Sequence, residues 1–192
     1  MCLLRTTFLI LFSAAAAAIG LEFRRHIHSH RWDVKTLADG FIADSTPVPT
    51  TIDGQISLPE PTGIRQPTPR LPSEQTVYVL TGQIIHVKED LDNDYKFIFE
   101  DPKSHNHMIA EIPDPNGDDA PNRYKPAYRR ARHVIDSLTG AEPDYAGKKF
   151  TTPPIVRITG VGLFDQPHPL PLAGTAPNNR EIHPVLKIEV LR

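Results

Sequence analysis

The chain has 192 residues and a mass of 21.4 kDa, room for one domain with a tail but not for a multidomain enzyme. Lys and Arg number 21 against 23 Asp and Glu, so no basic field favours tight nonspecific binding to nucleic acid, and a DNA-coating protein is excluded. Twenty prolines, about twice the usual share, exclude a mainly helical fold and point to strands joined by stiff loops.

Arg5 is the only charge in residues 1–7, Phe8 to Phe12 is apolar, and Ser13 to Ala18 is a run of small residues offering Ala-x-Ala cleavage choices. This is the pattern of a secretory signal peptide, residues 1–18, and it predicts export to the periplasm or the medium. An apolar run of about a dozen residues is short for a bilayer core of roughly 30 Å, so no transmembrane span is expected in the mature chain. The only cysteine, Cys2, leaves with the signal, and the exported chain then has to fold without disulfides.

Residues 19–75 read as an extended leader. Seven prolines fall between Pro47 and Pro72, with no period of two or 3.6. Ahead of them, Arg31 to Leu37 ends in the turn signal Ala38-Asp39-Gly40, and Trp32 reads as a packing anchor. His26, His28 and His30, beside Arg24, Arg25 and Arg31, read as a disordered tail rather than a metal site.

Residues 76–192 form the compact domain. Thr76 to Lys88, rich in Val, Ile, Leu and Tyr, reads as a strand, followed by the polar stretch Glu89 to Asp94. Tyr95 to Glu100 alternates, with Tyr95, Phe97 and Phe99 on one face. Met108 to Ile112 is a third strand. A helix is predicted over 126–138, with Ala127, Ala131, Val134, Ile135 and Leu138 at helical spacing, Pro126 in the first turn and Gly140 at the stop. Two further strands are Ile155 to Phe164, whose Gly160 and Gly162 predict a bulge or bend, and Val185 to Leu191. Three strands, a helix and two strands is the order of an OB-like five-stranded barrel, here preceded by a Pro-rich leader; a small α+β sandwich is the alternative.

The segments Trp32-Asp33-Val34-Lys35-Thr36-Leu37, Met108-Ile109-Ala110-Glu111-Ile112-Pro113, Thr159-Gly160-Val161-Gly162-Leu163-Phe164-Asp165 and Ala176-Pro177-Asn178 with Glu181-Ile182-His183-Pro184-Val185 resemble a family of exported bacterial proteins without an established activity. The resemblance runs from about Trp32 to the C-terminus and implies export and one domain, but no chemistry. The segment after the Phe-Asp pair departs from the family's His-Gly-Gln-Thr-Gly, since His168 is followed here by Pro169-Leu170-Pro171.

Candidate chemistry brackets the loop between the last two strands. Asp165 and His168 stand at one foot, Glu181 and His183 at the other, and an antiparallel hairpin would set the feet side by side. Two imidazoles and two carboxylates suit zinc or another first-row divalent ion, and an open position would activate water. Asn178 offers a carbonyl ligand or a hydrogen bond to substrate. The bland reading has Asp165 capping a turn, Glu181 pairing with an arginine and His183 supporting the loop.

Asp90, Asp92 and Asp94 imitate a calcium loop, but Tyr95 stands where Gly is required, so they read as a solvated hairpin tip. Arg129, Arg130 and Arg132 read as a solvated helix face. No Gly-x-Ser-x-Gly elbow and no mature cysteine are present, which removes those serine and thiol hydrolases. Three functions fit. A binding module would hold an oligosaccharide, peptide or nucleic-acid strand on Tyr78, Tyr95, Phe97 and the long loop. A metal-dependent hydrolase, with phosphodiesters among its candidate substrates, would use the Asp165, His168, Glu181 and His183 set. A structural or assembly protein would reach a partner through the leader.

Overall fold

The computed structural model describes residues 30–65, 67–117, 120–167 and 173–192. Residues 1–18, read above as a signal peptide, and His26, His28 and His168 lie outside them. Two short helices, α1 (Trp32–Lys35) and α2 (Ile52–Ile56), flank the two-residue strand β1 (Val48–Pro49). A 3-10 turn at Pro72–Glu74 leads into β2 (Val77–Glu89), β3 (Tyr95–Glu100) and β4 (His107–Ile112). Then come α3 (Lys125–Thr139), β5 (Lys148–Lys149), β6 (Ile155–Phe164) and β7 (Arg180–Val190).

Five of these strands close into an OB-like barrel in the order β2, β3, β4, β7, β6 and back to β2. Closure depends on the length of β2, whose 13 residues serve two neighbours. Val77 to Gln83 pairs with β6 and Gln83 to Glu89 with β3, and the register shift between Ile84 and His86 bends the strand between the two ladders. All barrel ladders are antiparallel except β4 with β7, which is parallel. β1 and β5 add short pairings along β2. Among the described residues, no helix is long and apolar enough to cross a membrane.

The alternation of β3 sends Tyr95, Phe97 and Phe99 inward, where they meet Met108, Ala110 and Ile112 of β4 in one buried cluster. Phe97 and Phe99 are 0% exposed and pack edge to face at 6.2 Å. Each such ring contributes roughly 1.5–3 kcal/mol of burial. Helix α3 lays Tyr128, Ala131 and Ile135 on this core against β7 and β4, and Gly140 at φ 82° stops it. Tyr128 joins the apolar face expected from Ala131, Val134, Ile135 and Leu138, and its hydroxyl donates to Thr36 O at 2.9 Å, tying helix to leader.

The β6–β7 ladder shifts register on either side of Gly160. A Cβ there would stand 2.5 Å from both Pro184 O and Ile182 Cγ2, so the backbones approach as only glycine permits. Gly160→Ala is therefore expected to lower stability by roughly 1–3 kcal/mol, read as a lower urea midpoint at unchanged slope; an unchanged midpoint would contradict this packing.

The leader is more structured than its prolines suggest. Thr51 caps α2 by accepting from Gly54 N at 3.0 Å. Arg31, grouped above with a disordered tail, is 2% exposed. Its guanidinium binds both oxygens of the buried Glu74, at 2.9 and 2.5 Å, and donates to the carbonyls of Phe164, Thr68 and Pro69. Glu74 in turn accepts from the amides of Leu71 and Phe164. Arg70 completes the clamp on Val34 O and Asp39. Strand β7 also begins at Arg180, ahead of the expected Val185.

Candidate functional site

The outward face of β3, β4 and β7 carries charge that is nevertheless buried. Lys96 and Glu111 are register partners across β3 and β4, and Ile109 pairs with Glu181 across the parallel β4–β7 ladder. Two residues further along, Glu111 and His183 share that face. From the turn, Asn93 in a left-handed conformation delivers Asp94 to the same point. From above, α1 brings Lys35, and the end of β6 brings Asp165.

His183 is 0% exposed and lies at the centre. Its Nε2 is 3.3 Å from Asp94 Oδ2, and its Nδ1 is 3.5 Å from Glu111 Oε2 and 3.9 Å from Glu181 Oε2. These are ion-pair distances, each longer than an ordinary charge-assisted hydrogen bond. Asp94 and Glu111 are each held by one oxygen and present the other. Asp94 Oδ1 accepts from Asp114 N at 2.9 Å, and Glu111 Oε1 binds the Lys96 ammonium at 2.9 Å. One ligand atom from each of Asp94, Glu111 and His183 lies within 4.8 Å of the others.

Among the described residues, charge in this volume is unbalanced. Four buried carboxylates, Asp94, Glu111, Asp165 and Glu181, face two lysines and one histidine. Burial alone would lower the His183 pKa, but Asp94, Glu181 and Glu111 outweigh it and raise it to about 9. Burial, with Asp94 and Glu111 nearby, lifts Asp92 to about 7. Burial raises Asp94, and burial with the neighbouring Asp165 and Glu111 raises Glu181. Glu111 is held low, against the effect of burial, by Lys96, His183 and Lys35. Lys35, despite burial, is held above the usual lysine range by Asp165, Glu181 and Glu111. Acid and base groups pushed in different directions within one cluster are what catalytic sites assemble. The rim is half-open, with the Lys96 side chain 14% and the Asp90 side chain 26% exposed.

Of the residues singled out from sequence, Glu181 and His183 meet in this cluster, and Asp165 joins it through Lys35 at 3.1 Å. Asn178 serves the fold instead. Its amide donates to the carbonyls of Gln55 and Leu58 and its Oδ1 accepts from Arg180 N, fastening α2 to the barrel. Tyr95 and Phe97 are core residues, because the more apolar face of β3 is the one the barrel encloses. Tyr95 is further covered by Arg132, 4.0 Å from its ring centre, and Tyr78 is half-buried with Arg180 5.7 Å away. Arg132 thus leaves the helix's solvated face, donating to Pro113, Ile112 and Asn93 carbonyls, while Arg129 and Arg130 stay exposed.

Asp94, read above as part of a solvated tip, is 0% exposed, because the left-handed Asn93 turns the chain inward just before β3. Glu111, Lys35 and Lys96 also went unread as site residues. The signal for Glu111 was an acid inside an otherwise apolar strand, and for Lys35 a lysine between Val34 and Leu37.

No family model matches the chain, and no curated protein matches it. Among solved structures, a chain of "OBody AM3L09 bound to hen egg-white lysozyme" is similar at a TM-score of 0.38 and 13% identity, over 62% of this chain and 84% of that one. At that level the likeness bears on neither site nor activity. The fold and cluster define a class, an OB-like barrel with a buried carboxylate–histidine centre.

Proposed function

We propose that this protein is an exported metal-dependent hydrolase, which holds one divalent first-row cation at Asp94, Glu111 and His183 and activates water there. The observation that carries the reading is the convergence of three buried ligand atoms, one each from Asp94, Glu111 and His183, within 4.8 Å of one another. Two carboxylates and an imidazole suit manganese, iron or zinc. The bound ion would supply a Lewis acid and lower the pKa of a coordinated water. The protein's own part is to hold the donors: Asp114 N fixes Asp94, Lys96 fixes Glu111, and Glu181, 3.9 Å from the ring, stands next to it to take a proton. Substrate would approach along the rim of Asp90, Asp92 and Lys96. For an oligosaccharide- or nucleic-acid-stacking module, Tyr95 and Phe97 offer no open aromatic face, and of the three rings only the half-buried Tyr78 is left for stacking.

The test is metal counting followed by turnover. Chelator-treated protein is expected to take up one equivalent of Mn2+ or Zn2+ and then to hydrolyse bis(p-nitrophenyl) phosphate or p-nitrophenyl acetate, with both properties lost in Asp94→Asn. Failure to bind either ion removes the reading; binding without turnover of either ester removes the hydrolase part of it.

A further inference from the structure

We infer that the turn joining β3 to β4 is a site for a divalent first-row cation, copper or zinc, held by Glu100, His105 and His107. The inference does not rest on the metal reading above. The six residues of β3 set this turn roughly 20 Å from Asp94, at the opposite end of the strand.

The turn is pinned on both sides of His105. Asp101 Oδ1 accepts from the amides of Lys103 and Ser104. Asp53 of α2 accepts from Ser104 Oγ at 2.9 Å and from Asn106 Nδ2 at 2.8 Å. His105, between them, is in the left-handed region at φ 58°, where glycine is the cheaper residue, and its side chain is 73% exposed. Packing draws little from an imidazole at that position, so its use lies in what it faces.

It faces Glu100, with Nδ1 3.2 Å from Oε1. Two donors that each stand roughly 2.1 Å from one ion, at a right-angled to tetrahedral angle, lie roughly 3.0–3.4 Å apart, so this pair already has the spacing of neighbouring ligands. Gln83, the register partner of Glu100 on β2, donates its side-chain amide to the same oxygen at 2.7 Å and fixes the carboxylate from behind. The third donor comes from the other ladder. His107 is the register partner of Glu100 on β4, so their side chains share a face with Cβ atoms roughly 4.5–5.5 Å apart. The His107 ring is half-buried and makes no hydrogen bond or ion pair among the described residues, which leaves it to turn onto the ion. Two imidazoles and a carboxylate suit copper or zinc, and the solvent side leaves the remaining positions to water or a small ligand.

Histidine-ring 15N NMR of the full chain titrated with Zn2+ tests this, because it reads each imidazole separately. The ring nitrogens of His105 and His107 are expected to shift together and to saturate, in the wild type and equally in Asp94→Asn, which keeps the result independent of the buried cluster. His107→Ala and Glu100→Gln are each expected to raise the Zn2+ concentration that half-saturates His105 by about tenfold or more. Neither residue belongs to the hydrophobic core, so both variants are expected to fold. Unmoved His105 and His107 rings at millimolar Zn2+ overturn the inference. An unchanged His105 midpoint in either variant overturns it equally, since the ion would then sit on a lone surface imidazole or on an incomplete set.

Discussion

Mn2+ added to the chelator-treated protein is expected to raise its melting temperature, and Asp94→Asn, Glu111→Gln and His183→Gln are each expected to cancel the rise. At a hundredfold excess over the dissociation constant, the linkage is about 2.7 kcal/mol, which for a chain of this length is roughly 5–10 °C. The three variants differ in what they do without metal, and that difference separates ligation from simple support. Glu111→Gln weakens the hold on the buried Lys96 ammonium and should lower the metal-free melting temperature as well. Asp94→Asn keeps an oxygen for Asp114 N but removes the carboxylate that does most to hold the His183 proton, so its metal-free melting temperature should fall at pH 6.5 and approach the wild type's near pH 9. A normal Mn2+ response in Asp94→Asn would show that this residue is no ligand.

The second large effect is on pH. In the folded, metal-free protein His183 holds its proton up to about pH 9, against 6.5 for the free side chain. The stability it contributes is complete below pH 6.5 and lost as pH rises through 9. A shift of that size corresponds to on the order of 3 kcal/mol, or roughly 5–10 °C in melting temperature. Asp92, raised from 3.8 to about 7, has the same sign, and what it contributes is lost as pH rises through 7. Glu111 is depressed and opposes them only in acid, below its ordinary 4.5. Metal-free protein is therefore expected to melt progressively earlier from pH 6.5 to 9, with His183→Gln flattening that slope. Saturating Mn2+ is expected to reverse the trend, because an ion bound there would require the neutral imidazole and gain affinity as the proton leaves. A flat melting profile from pH 6.5 to 9 in the metal-free wild type would contradict the buried imidazolium.

Local pattern made the barrel legible and left half of the site unread. Strands such as Tyr95 to Glu100 announce themselves by alternation, and α3 by the spacing of Ala131, Ile135 and Leu138, since those signals depend on neighbours a few residues away. Glu181 and His183 were visible because two residues on one extended strand must share a face. Asp94 was not, since its direction is decided by one left-handed residue, Asn93, inside a polar turn. Glu111 was hidden for a different reason: its meeting with His183 depends on a parallel ladder between β4 and β7, a pairing across some seventy residues that neither strand encodes alone. The four- and five-residue helices of the leader are too short to show a period, so Lys35 carried no mark of its destination.

The parallel ladder also dictates when the centre comes into being. Its donors come from the β3 turn, from β4 and from the final strand, and its covering ammonium from the leader, so no shorter stretch of this chain can hold the set. A partly made chain would lack the complete set of donors. Because thiol-free nitrogen and oxygen donors rank the first-row ions in a fixed order of affinity, with copper ahead of manganese and iron, the ion that such a site would retain would be decided by which metals surround the protein when its last strand docks.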